Sequence, residues 1–176
     1  MPVITDEYRS LNAELHTRRA GYGANGHKWA DRIAGYVRES GATTVLDYGT
    51  GKGTLVGALR KKGLECAGYD PAMEEWSADP APADFIVCAD VLEHVEPDCL
   101  DDVLSDLSRL MRKAGLLVIS LIPSDKELAD GRNAHLIIQP AEWWMNRLHE
   151  RFSEVVVVPP RNRKTSGREL PVLVRP

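Results

Sequence analysis

The stretch "VLDYGTGKGTL", Val45–Leu55, decides how this chain is read. It continues the β-branched, apolar run "TTVLD" (Thr43–Asp47), the pattern of a short buried strand. Gly49, Gly51 and Gly53 follow at alternate positions, and then Leu55, Val56 and Leu59 mark a helix that runs to Gly63, a C-cap candidate. A strand, a tight glycine turn and a helix are expected to aim backbone N–H groups at a ligand and to let it approach closely. A nucleoside-triphosphate loop needs Gly-Lys followed by Ser or Thr, but Lys52 is followed by Gly53. A dinucleotide loop, G-x-G-x-x-G, needs its third glycine at position 54, which is Thr54.

The first ~20 residues carry Tyr8, Leu11 and Leu15 at spacing compatible with one amphipathic helix, and "GYGANG" breaks it. From His27 a helical period returns through Trp29, Ile33 and Tyr36–Val37 and stops near Ser40–Gly41. "LECAGYD" (Leu64–Asp70) and "ADFIVCAD" (Ala83–Asp90) read as strands. "DCLDDVLSDLSRLMRKAG" reads as a helix ended by Gly115, with acids early and bases late, an order that suits the helix dipole. "LLVISLIP" is a strand, and "PAEWWMNRLHERF" a helix opened by Pro140. "SEVVVVPP" and "LPVLVRP" are two closing strands joined by a basic loop. The alternation predicts an α/β, doubly wound, mostly parallel sheet with one antiparallel strand, and a ligand at the carboxyl ends of its strands.

Three segments carry a resemblance. "VLDYGTGKG" resembles the first motif of class I S-adenosylmethionine-dependent methyltransferases. "GYDPA" (Gly68–Ala72) resembles the end of that family's second strand, and "CADVLEHVEP" (Cys88–Pro97) the segment after its fourth. "RKAGLLVISLIP" is similar to the helix-to-fifth-strand segment of the small-molecule methyltransferases in that group. The resemblance covers Tyr22 to the C-terminus. It implies a Rossmann-like methyltransferase fold, S-adenosylmethionine as cofactor and S-adenosylhomocysteine as product. It implies cofactor contacts at Asp47, Gly49, Thr50, Gly51 and Gly53, with Asp47 on the ammonium group. It implies ribose binding by Asp70 beside Pro71, and further contacts at Ala89, Asp90 and Val91. Upstream of the first motif, Tyr22, His27 or Lys28 would meet the cofactor carboxylate.

Only "PAMEEWSADPAPA" separates Asp70 from Asp84, too short for the helix and third strand usual in the family, so that strand is expected to be missing. The acid that usually holds the adenine amino group has no clear equivalent there and Asp79 is the one offered, while Met73 or Trp76 would stack on the adenine or else cover the sheet edge. Methyl transfer to an amine or hydroxyl needs a proton acceptor, and histidine suits it near neutral pH. His135, in "DGRNAHLIIQP" beside Arg132 and Asn133, is ranked slightly above His94 of "DVLEHV"; His16 and His149 carry no motif and are expected to be solvated. One of Trp143 and Trp144 is expected in the core and the other at the acceptor pocket.

Composition narrows the classes. A net charge of −4 argues against a surface built wholly for nucleic acid, although Arg161, Arg163, Lys164 and Arg168 concentrate positive charge in one loop. Position 88 onward reads "CADVLEH", without the Pro-Pro-aromatic of exocyclic-amine DNA methylases and without a Pro-Cys nucleophile. The three cysteines form no metal-binding spacing, and no metal is expected. The N-terminus lacks an apolar signal core and no run is long enough to span a bilayer, so a cytoplasmic location is expected. The reading is one methyltransferase domain, with residues 1–40 a helical cap and 41–176 the core, acting on a small polar acceptor. The alternatives are a nucleotide or nucleic-acid acceptor, or a cofactor-binding partner subunit without catalysis. Oligomeric state has no signal in the sequence.

Overall fold

The computed structural model describes residues 2–176. Its centre is a six-stranded sheet in the order β2-β1-β3-β4-β6-β5. The strands are β1 (Thr44–Tyr48), β2 (Glu65–Tyr69), β3 (Ala83–Ala89), β4 (Met111–Ser120), β5 (Glu154–Val157) and β6 (Glu169–Arg175). The first four pair in parallel, and β6 runs against both of its neighbours. The expected single antiparallel strand is therefore β6. The expected loss of the third strand is also met: β2 leads into β3 through a link whose only regular piece is one short turn, Glu74–Trp76.

Side-chain alternation along the strands divides the core in two. Phe85 and Val87 of β3 join Val45 of β1 under the helices α2 (Ala30–Glu39) and α3 (Thr54–Lys61), where Ile33, Val37, Leu55 and Leu59 meet them. Ile86 and Cys88 face the other way with Leu46, packed on Leu104 and Leu107 of α4 (Leu100–Leu110) and Trp144 of α5 (Ala141–His149). Helices thus cover both faces, as a buried parallel sheet requires.

A third apolar cluster has no sheet in it. Tyr8 and Leu15 of α1 (Asp6–Arg18) pack with Ile4 against Leu128 and Ala134 of the loop after β4. Burial of Leu15 and Leu128 stabilises this contact by roughly 2 kcal/mol each. Thr5 caps α1, accepting from Tyr8 N–H at 3.2 Å, while its own N–H and hydroxyl donate to the Glu96 carboxylate at 2.9 and 2.8 Å. The N-terminal helix is thereby fastened over the carboxyl end of β3.

One boundary differs from expectation. The helix before β4 stops at Leu110, and Gly115 lies inside the strand rather than at a cap. A side chain there would come within 2.8 Å of the Ile86 carbonyl, so glycine serves close strand contact. Lys113, read as part of the basic end of the helix, bridges instead to Asp84 at 3.1 Å and donates to Gly41 O. Pro140 is the N-cap residue of α5 rather than its first turn.

Candidate functional site

Strand order reverses at the β1/β3 boundary, because the chain leaves β1 for β2 and returns past it to β3. A cavity of about 530 Å³ opens there, between the carboxyl ends of these strands and α1. Its walls divide into two ends of different character.

The first end is the glycine loop and its two acids. Asp47 is buried at the end of β1 and accepts the Thr50 hydroxyl at 2.6 Å; burial pushes its carboxyl up to about 7. Asp70, equally buried after β2, accepts Gly51 N–H at 2.9 Å on one oxygen and Ala72 N–H at 3.0 Å on the other. Gly49, Thr50, Gly51 and Pro71 line the cavity beside them, with Ala89, Asp90 and Val91 opposite. Asp90 holds a left-handed backbone, φ 57°, one that a short polar side chain tolerates better than most.

The loop works differently from the expectation that it aims N–H groups at a ligand. Gly49 and Thr50 both donate to Tyr69 O, Gly51 to Asp70, Lys52 to Gly23 O and Gly53 to Thr50 O. All five amides are satisfied within the protein, so the glycines provide close approach instead of donors. A Cβ on Gly49 would lie 2.3 Å from Val91, and one on Gly51 2.8 Å from the Gly23 backbone. Both also have positive φ.

The second end is a chain of rings under α1. His16 and Tyr22 have centroids 4.5 Å apart, Tyr22 and His94 5.6 Å, and His94 and His135 4.6 Å with planes at 89°. Tyr22 donates to Asn12 Oδ1 at 3.0 Å and lies 3.3 Å from His94 Nδ1. His94 Nδ1 lies 2.7 Å from Ala134 O, and His135 Nδ1 2.6 Å from Ile122 O. Carbonyls only accept, so both imidazoles carry their proton on Nδ1 and leave Nε2 with a lone pair. Burial and then His135 push His94 down to about 3; burial also lowers His135. Asn133 Oδ1 accepts from the N–H groups of Ser124 and His135 and shapes this loop, whereas Arg132 points to Asp130 on the surface.

Several expected residues lie elsewhere. Gly53 and Lys28 do not line the cavity: Gly53 is covered by Trp76, and Lys28 is exposed beyond α1. His27 turns back to Ala24 O. Trp76 covers the β2 edge between Gly53 and Gly68, because Asp70 N–H donates to Trp76 O and folds the link onto the sheet. The same fold keeps Met73 and Asp79 off the cavity wall. Trp144 is core, but Trp143 packs under the Arg147 guanidinium at 5.3 Å rather than at the pocket. Of the basic loop, only Arg168 reaches the cavity.

His16 is the clearest departure, buried and lining the cavity where a solvated side chain was expected. Tyr8 and Asn12 join it, four residues apart on one face of α1. Polar residues at this spacing beside Leu11 and Leu15 were the signal available in the sequence. Glu93, adjacent to His94, is fully buried and also lines the cavity. Among the described residues no helix is long and apolar enough to cross a membrane.

Comparison with known proteins adds three findings. A family model described as a methyltransferase domain matches residues 11–156. No curated protein matches by sequence. Among solved structures, the chain is similar to the 1,6-didemethyltoxoflavin-N1-methyltransferase of Burkholderia thailandensis, crystallised with 1,6-didemethyltoxoflavin and S-adenosylhomocysteine, at TM-score 0.67 and 18% identity, covering 99% of this chain and 92% of that one. An O-methyltransferase family protein from Burkholderia thailandensis gives TM-score 0.61 at 14% identity over 89% of this chain, which spans only 58% of that longer one. A SAM dependent methyltransferase from Archaeoglobus fulgidus gives 0.53 at 14% identity, over 84% and 94%. At these identities the likeness is one of fold.

Proposed function

We propose, because the chain belongs to the methyltransferase domain family, that it moves a methyl group from S-adenosylmethionine to an oxygen or nitrogen of a small polar acceptor. The observation that carries this reading is one continuous cavity with two buried carboxylates at one end and two Nε2 lone pairs at the other.

The chain's donor and acceptor set suits the cofactor. An ammonium group and two ribose hydroxyls are donors, and Asp47 and Asp70 are the acceptors placed in the wall. Asp47 takes the ammonium and Asp70 the ribose, while Gly49, Thr50 and Gly51 line the wall between them. When bound, S-adenosylmethionine supplies a methyl already activated on a sulfonium centre. The protein's remaining tasks are to position the acceptor and to receive its proton. Nε2 of His135 receives it, held in place by the Nδ1 bond to Ile122 O; His94, deeper and pushed to about 3, orients the pair. Tyr8, Asn12 and His16 of α1 form the polar roof over the acceptor.

The test is a metabolite-library screen for release of S-adenosylhomocysteine, followed by His135→Ala. That substitution is expected to lower kcat by about 10²- to 10⁴-fold, the range for a lost general base. Affinity for S-adenosylhomocysteine should stay within a factor of two or so, because the residue lies at the far end of the cavity. Equal loss of cofactor affinity and turnover would count against the assignment.

A further inference from the structure

We propose that Glu93, His94 and His135 form a binding site for one divalent first-row transition-metal ion, open on its free side to the cavity. One ligand atom from each of the three side chains lies within 4.8 Å of the others. They come from two places in the chain, the turn after β3 and the loop after β4, and the backbone ties these places together. Ile137 N–H donates to Glu93 O at 3.0 Å, and Ala134, whose carbonyl fixes His94, donates its own N–H to Lys126 O at 3.0 Å.

Two features point to an ion. Each imidazole gives its Nδ1 proton to a main-chain carbonyl, Ala134 O or Ile122 O, the outer contact that orients metal-bound histidines and fixes Nε2 as the free donor atom. Glu93 is completely buried, and no side chain donates to its carboxyl, which only the backbone of Glu93 itself and of Ser120 approaches. Buried acidic groups are nearly always fully paired, so a carboxyl without a side-chain partner, within 4.8 Å of a ring nitrogen of each of two imidazoles, suits a cation. An ion at about 2.1 Å from each ligand sets ligand atoms roughly 3 to 3.5 Å apart, a closure that side-chain rotation can supply.

The donor set selects the class of ion. Two nitrogens and one carboxylate suit Zn²⁺, Mn²⁺, Fe²⁺ or Co²⁺, whereas Mg²⁺ and Ca²⁺ favour all-oxygen sites. Three protein ligands leave positions open toward the cavity, where an acceptor hydroxyl would bind and lose its proton more readily. Only this consequence rests on the methyl-transfer reading. An Nε2 lone pair given to an ion is no longer available to a proton, so the loaded site replaces His135 as proton acceptor.

The experiment treats the whole chain with chelator, dialyses it against Co²⁺, and measures bound metal and the visible Co²⁺ absorption. One equivalent is expected, with bands that disappear in Glu93→Gln and His135→Ala. Affinity should fall at least about 100-fold in both variants, the upper end for loss of even an outer metal contact. His27→Ala and His149→Ala, on exposed residues outside the cavity, should bind like the parent. Retained S-adenosylhomocysteine binding in His135→Ala shows that its fold is intact. Absence of stoichiometric uptake, or unchanged uptake in His135→Ala, overturns the proposal. A metal-free protein that methylates at full rate overturns its catalytic consequence and leaves His135 as base. Metal uptake without any cofactor binding sinks the methyl-transfer reading and leaves the ion site standing.

Discussion

The two ends of the cavity are finished to different degrees. At the cofactor end, Asp47 is met by Thr50, both oxygens of Asp70 are met by backbone amides, and the glycine-loop amides are paired. Toward the other end less is closed: Tyr8 OH is buried without a partner, the buried Glu93 carboxyl has no side-chain partner, and His16 Nδ1 is unpaired where α1 meets Gly23 beside the glycine loop. Among the described residues the one further buried side-chain nitrogen or oxygen without a partner is Trp144 Nε1, in the core and off the cavity wall. Unpaired buried polar atoms are unfavourable, and in native proteins they collect where something else is meant to bind. The first end is thus built into the fold, and the second is completed by what enters it.

The largest test of this contrast is Asp70→Ala. It removes the acceptor of two buried amides, Gly51 and Ala72, together with the ribose partner proposed above. Hydrogen bonds to a charged group contribute roughly 1.5–3 kcal/mol each, so calorimetric affinity for S-adenosylhomocysteine should fall about 100-fold or more. Thermal stability should fall with it. Loss of affinity without loss of stability would mean that the cofactor end is not prebuilt in the way described.

Next in size is the pH response of Asp47. Its carboxyl is raised by burial to about 7 in the free protein, so below that pH it is increasingly protonated. An ammonium group binds the ionised form, and affinity for S-adenosylhomocysteine should therefore weaken by about tenfold per pH unit below 7. Stability of the free protein runs in the opposite sense. The folded-state value lies above the unfolded value of 3.8, so the folded state binds the proton more tightly. The contribution from Asp47 is present below about pH 4 and is lost as pH rises through 7. Asp47→Asn should flatten both trends; a titration that keeps its slope in that variant would assign the proton to another group.

The same contrast explains what could be seen in the sequence. The cofactor end lies in two short contiguous pieces, Val45–Gly53 and Gly68–Ala72, whose residues take their roles from local geometry. The missing strand was visible as well, because thirteen residues from Pro71 to Ala83 cannot hold a helix and a strand. The internal pairing of the glycine-loop amides was not visible, because Tyr69 O and Gly23 O reach them from other elements. The acceptor end joins Tyr8 and His16 of α1, Glu93 and His94 after β3, and His135 after β4. No pattern along the chain links such positions; the Thr5–Glu96 contacts and the Leu15–Leu128 cluster bring them together. His16 carried no motif; its spacing from Tyr8 and Asn12 hinted at one polar face, and burial shows where that face goes. Gly115 shows the same limit on a smaller scale, since a strand glycine pressed on Ile86 O reads locally like a helix stop.

The smallest predicted effect is the sharpest in sign. Tyr8 is buried against Leu128 and Ala134, and its hydroxyl has no partner. Tyr8→Phe keeps the ring and removes an unsatisfied group that costs about 1–3 kcal/mol, less whatever water recovers. The free protein should become more stable by about 1 kcal/mol, a rise in Tm of about 2–4 °C for a chain of this size. Turnover with the true acceptor should fall at the same time, while affinity for S-adenosylhomocysteine stays unchanged. Such a trade of stability against activity is expected only where a polar group is held ready for a ligand. A Tyr8→Phe variant that melts lower than the parent would show that the hydroxyl is already satisfied without one, and the contrast between the two ends would shrink to Glu93 and His16.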